Sequence, residues 1–86
     1  MRLLKFSAEW CGPCKKMKPI VEQVAKDHNL EVVDLDIDRP ENQQWVEAYE
    51  VQGVPTLVLE DEAGNILGKM VGAQPKSKTE KVLGLV

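Results

Sequence analysis

The chain has two cysteines, Cys11 and Cys14, separated only by Gly12 and Pro13. A bond between them would close a loop too small to restrict the unfolded chain, so the pair reads as chemistry and not as a structural staple. Small secreted domains held together by disulfides carry more cysteines at wider spacings. On a helix, residues i and i+3 are neighbours on one face, within the Cα separation a disulfide accepts, so the two sulfurs can join and part without refolding. Cys11 comes first, beside the free N–H groups and positive dipole end of the helix that should follow. That position favours thiolate over thiol and makes Cys11 the nucleophile. Cys14, one turn deeper and expected to be the less exposed, is placed to attack a mixed disulfide formed on Cys11 and release the reduced target. A zinc site would need about four ligands, and His28 is the only imidazole, at no usual ligand spacing. Lys15, not histidine, follows Cys14, which excludes c-type haem attachment. No metal is expected.

The elements that must position this pair follow from the apolar pattern. Residues 2–7 (Leu3, Leu4, Phe6) form a short apolar run, a strand ending at Ser7-Ala8-Glu9. From Cys11 onward, Met17, Ile20, Val21, Val24, Ala25 and His28 recur at helical spacing, with lysines elsewhere. Pro13 is tolerated in the first turn, whereas Pro19 removes an interior bond and predicts a kink. On the apolar face near the helix end, His28 reads as a packed or capping residue. Residues 30–37 alternate as a second strand, and Pro40-Glu41 start a short helix carrying Trp45, Ala48 and Tyr49 until Gly53 stops it. Trp45 and Tyr49 read as core. Residues 56–59 and 66–71 form a hairpin around the polar segment 60–65. Ser77 and Glu80 have capping-box spacing for a last helix whose face holds Thr79, Val82, Leu83 and Val86, weakened by Gly84. The order is βαβαββα, an α/β fold with a four-stranded mixed sheet. The first two strands are parallel, the hairpin adds antiparallel strands, and helices cover both faces.

At 86 residues the chain is expected to be one domain, 1–86. With 43% apolar and 29% charged residues it has a globular balance, and at a net charge of −3 its lysines are scattered among acids. That argues against nucleic acid. No run of eighteen apolar residues exists, and the Met1–Phe6 start, with Arg2 and Lys5, is shorter than a signal peptide's apolar region. A cytoplasmic protein with no membrane partner is expected.

Ala8-Glu9-Trp10-Cys11-Gly12-Pro13-Cys14-Lys15, then Pro19, Asp38, Gly53-Val54-Pro55-Thr56 and Val71-Gly72-Ala73, resemble the thioredoxin family in order and spacing over nearly the whole chain. The family's first strand and first helix have no counterpart, so the expectation is a minimal, glutaredoxin-sized thioredoxin-like fold. The second strand's acids, Glu31, Asp34, Asp36 and Asp38, would then partly serve to block edge pairing. The resemblance implies that Val54-Pro55 is a cis-proline loop facing the cysteines, with Trp10, Gly72 and Ala73 bordering a substrate groove. It implies no bound cofactor, only a redox-active disulfide. Electrons would come from NADPH through a flavin-dependent thioredoxin reductase and pass to disulfide-containing proteins, ribonucleotide reductase among the candidates, with the chain acting as a monomer.

The Gly12-Pro13 dipeptide argues for reduction, since glutaredoxins, similar in fold, usually carry Pro-Tyr there and disulfide isomerases Gly-His. Two alternatives stay open: a glutaredoxin-like, glutathione-coupled reductant, and a noncatalytic module whose groove grips a partner. One departure stands out. Thioredoxins usually bury an aspartate six residues before the first cysteine, accompanied by a lysine on the neighbouring strand, and here Lys5 and Asp34 stand in exchanged places. If both point inward, Asp34 would handle a proton at Cys14 and Lys5 would stabilise a thiolate there. If the trimmed fold exposes them, they form a weak surface contact.

Overall fold

The computed structural model describes residues 1–86. Its elements are β1 (Arg2–Ser7), α1 (Gly12–Asp27), β2 (Glu31–Asp36), α2 (Gln43–Ala48), β3 (Thr56–Glu60), β4 (Ile66–Val71) and α3 (Lys76–Val82), the expected βαβαββα order, with a 3-10 turn at Pro40–Asn42 leading into α2. The sheet order is β2-β1-β3-β4, with β1 parallel to β2 and antiparallel to β3.

Period-2 alternation along β1 assigns its side chains to two faces. Leu3 packs with Leu57, Leu59 and Met70 against Met17 and Val21 of α1 and Leu83 just past α3. Leu4 and Phe6 pack with Leu35 and Val58 on the opposite face, where Trp45, Val46 and Tyr49 of α2 cover them. Lys5 shares its face with Leu3, beneath α1, and Arg2 shares its face with Leu4, toward α2. Helix α1 runs unbroken through Pro19 and is capped by His28, whose N–H reaches Val24 O at 3.0 Å.

Five local expectations need correction. Glu60 does not begin a polar loop: it is the last residue of β3, and all five residues of that strand are buried. Its carboxylate accepts from Arg2 Nε and the Tyr49 hydroxyl, and the Arg2 guanidinium lies 5.4 Å from the Trp45 ring centroid. Trp45 and Tyr49 are therefore half-buried members of a polar and aromatic cover instead of plain core. Gly53 does not stop the second helix; α2 ends at Ala48, and Glu50, at φ 52°, turns the chain. The Ser77–Glu80 capping box does not form, because α3 starts at Lys76 behind Pro75 with no side-chain cap, while Glu80 Oε2 lies 2.6 Å from His28 Nε2. Finally, Thr79 and Leu83 are buried but Val82 and Val86 are exposed, since the chain leaves the helix at Leu83 and Gly84 (φ 78°).

Candidate active site

The site stands at the carboxyl end of β1, where the strand delivers Ala8, Glu9 and Trp10 to the start of α1. Cys11 is the N-cap of α1, in extended backbone, and Cys14 lies within its first turn. Cys11 Sγ accepts the Cys14 amide N–H at 3.2 Å, so the sulfur satisfies one of the donors that a helix start leaves free. The two cysteines are joined in a disulfide with their Cα atoms 5.3 Å apart. Pro13 fits the first turn, and a Cβ at Gly12 would meet nothing within 4 Å. The expected difference in exposure is absent: Cys11 and Cys14 are 4% and 5% exposed, because the disulfide folds both sulfurs against Ala8, Ile37 and Val54.

Val54 packs on the cysteines, and the Val54–Pro55 peptide bond is cis. Pro55 is buried, and its carbonyl accepts from Gly72 N at 2.8 Å, which ties the end of β4 to the same edge. Gly72 has φ 94°, a conformation in which a side chain is strained. Ala73 follows it, exposed. Trp10 is 69% exposed, and its indole Nε1 donates to Asp38 Oδ2 at 2.8 Å. From sequence, Asp38 is part of the family pattern and an edge acid. Its bond to Trp10 spans 28 positions, and no local signal announces it.

Lys5 and Asp34 face each other in the β1–β2 register, with Lys5 Nζ 2.9 Å from Asp34 Oδ1. The pair is half of what an inward exchange requires: the Lys5 side chain is 10% exposed and that of Asp34 69%. Lys5, and not Asp34, lines a cleft of about 160 Å³ that also reaches Cys14. The largest hollow, about 560 Å³ and bordered by Arg2, Glu31 and Glu60, lies at the other end of β1 and contains no nucleophile. No three His, Cys, Asp or Glu side chains converge as metal ligands.

A thioredoxin family model matches residues 1–84. The chain belongs to the thioredoxin family. It is 39% identical over 83 residues to the thioredoxins of Staphylococcus epidermidis and Staphylococcus aureus, a match spanning 96% of this chain and 79% of each relative. Among solved structures, a thioredoxin variant from Halobacterium salinarum superposes with a TM-score of 0.82 at 38% identity, covering 96% of this chain and 71% of that one. Oxidised mitochondrial thioredoxin 3 from Saccharomyces cerevisiae superposes at 0.77 with 32% identity, covering 93% and 74%. The chain is thus a thiol–disulfide oxidoreductase, a protein-disulfide reductase of the thioredoxin type whose redox group is the Cys11–Cys14 disulfide. No helix is long and apolar enough to cross a membrane.

Proposed function

We propose that the chain, working as a single monomeric domain in the cytoplasm, carries two electrons at a time from NADPH, through a flavin-dependent thioredoxin reductase, to disulfides in other proteins. The Cys11 thiolate attacks one sulfur of the target disulfide. A Cys11–target bond forms, the target S–S bond breaks, and one target thiolate leaves and takes a proton from water. The Cys14 thiolate then attacks Cys11 Sγ, restoring the Cys11–Cys14 disulfide and expelling the second target thiolate. Two cysteine thiols are oxidised and one target disulfide is reduced. In this reading Trp10, Val54, Pro55, Gly72 and Ala73 border the groove that receives the extended target chain, and Gly12 and Pro13 keep the motif's first turn open to it.

The observation that carries the assignment is Cys11 at the N-cap of α1, its sulfur receiving a helix N–H. A thiolate there gains from the unsatisfied amides and the dipole end, and Cys14 has no such position. Alkylation of the reduced Cys11→Ser and Cys14→Ser variants as a function of pH is expected to modify Cys11 at the lower pH. Cys14→Ser should accumulate mixed disulfides with target proteins, and the parent should be recycled by thioredoxin reductase. Preferential modification of Cys14 would reverse the roles, and recycling by glutathione alone would make the chain glutaredoxin-like in function. Undiminished partner binding and biological effect in the doubly substituted Cys11→Ser, Cys14→Ser chain would support a binding module instead.

A further inference from the structure

Two charged side chains are buried in this fold, and their surroundings differ. Glu60 is fully buried and has two donors, Arg2 and Tyr49. Lys5 is 8% exposed, its one ionic partner is Asp34, and that carboxylate stands largely in water. Strand alternation turns Lys5 toward α1, where it shares the cleft with Cys14. We propose that Lys5 holds the cleft behind Cys14 at positive potential and so favours the thiolate of the resolving cysteine, with Asp34 as a solvent-damped counterweight.

The other charges facing that cleft are Lys15 and Lys18 on α1, Glu9 before the motif and Asp36 at the end of β2. Lys15, Lys18 and Glu9 are exposed, so water and salt screen them. Asp36 already accepts the Asp38 amide through Oδ1 at 2.9 Å. Lys5 acts instead through protein, where the effective dielectric constant is lower and a charge reaches further. Asp34, 69% exposed, offsets it only in part. In the resolving step Cys14 gives its proton to water before its sulfur attacks Cys11 Sγ. Lys5 exchanges no proton and takes no part in bond making. It is a positioning residue that acts through the state of Cys14.

The inference rests on Cys14 being the resolving thiol, but its test reads Cys14 by itself. In a Cys11→Ser background, the Cys14 thiolate is followed against pH by its alkylation rate and its ultraviolet absorbance. Lys5→Met is expected to raise the titration midpoint by about one pH unit, the lower end of what a nearby opposite charge produces. Lys5→Arg should restore the parent midpoint, and Asp34→Asn should lower it. A pair that only braces the sheet would leave the midpoint alone when Lys5 is removed. If Lys5→Met does not fold, Lys5→Gln carries the decision: a raised midpoint supports the proposal, and an unchanged or lowered one overturns it. An unchanged midpoint in a folded Lys5→Met also overturns it. Failure of Cys14→Ser to trap targets would instead remove the reading of the reaction while leaving this titration standing.

Discussion

Tyr49→Phe isolates the energetic value of a single hydroxyl. The ring would keep its stacking on Trp45 (centroids 5.9 Å, 14° between planes) and its tilted contact with Phe6 (6.0 Å), so only the bond to Glu60 is lost. A hydrogen bond to a charged group contributes about 1.5–3 kcal/mol net, and a buried acceptor left without a partner costs about 1–3 kcal/mol. Glu60 keeps Arg2, whose side chain is 38% exposed and opens a path for water, which moves the expected penalty toward about 1.5–2 kcal/mol. In a domain of this size each kcal/mol shifts Tm by about 4–8 °C, so melting should fall by about 10 °C. The pH dependence gives an independent check. The bond to Glu60, and next burial, hold the Tyr49 hydroxyl above its usual 10.0. A folded-state value raised above the unfolded one contributes stability that is complete below about pH 10 and is lost as pH rises through the folded value. Urea titrations of parent and variant at pH 7, and in steps from pH 9 upward, should therefore show a gap that narrows on the alkaline side, with disulfide reduction unchanged. A penalty below about 0.5 kcal/mol at pH 7, or a gap constant through the alkaline range, would refute the Tyr49–Glu60 account.

Two further predictions concern α3. A Cβ on Gly68 would sit 2.6 Å from Leu83 O and 2.8 Å from Leu83 Cα, backbone atoms that cannot swing aside, so Gly68→Ala should push the end of α3 off β4 and cost about 1–3 kcal/mol in urea unfolding. Parent-like stability would contradict that close approach. At the other end of α3, Lys76 holds Asp27 at 2.9 Å and Glu80 at 3.3 Å. The Asp27 carboxyl lies below its ordinary value chiefly through its hydrogen bond from Lys76, and Glu80 lies below its own chiefly through His28 and then Lys76. Depressed carboxylates contribute stability above about pH 4 that is lost as pH falls through their folded values, so Lys76→Met should flatten the acid limb of an unfolding-versus-pH profile below about pH 4. An acid limb with the parent's slope would count against it.

What the sequence made legible was local. The cysteine pair, its helix start and the alternating strands each declare themselves within a few residues, and they stand close to where the pattern puts them. The family resemblance implies that the Val54-Pro55 segment faces the cysteines, and Val54 packs on them. Two misreadings fell where a partner lay far along the chain. Glu60 adjoins Asp61 and Glu62 and so reads as solvent-facing, until Arg2, 58 positions away, and Tyr49 supply donors that let its carboxylate be buried. Glu80 has capping-box spacing from Ser77, yet a histidine 52 positions away outbids a helix end that Pro75 has already shaped. Lys5 could be paired with Asp34 from register alone, but which of the two would be covered depends on α1 lying over one end of a strand whose neighbour is an edge.

That last asymmetry explains why two buried charges in one small sheet should have different consequences. Glu60 and Arg2 lie on the α2 face with complete local partners, so removing a donor there should register as lost stability and leave the sulfur chemistry alone. Lys5 lies on the α1 face, at the motif end of the same strand, with one partner that water already weakens. The part of its field that Asp34 leaves uncompensated reaches the cleft, and Cys14 is the group in that cleft whose charge changes during the reaction. Stability measurements should accordingly single out Tyr49 and Glu60, and thiol titrations Lys5 and Asp34. The contrast between a neutral residue and Arg at position 5 is the sharper readout, because Asp34→Asn lowers the Cys14 midpoint through loss of its own negative charge whether or not Lys5 reaches that sulfur.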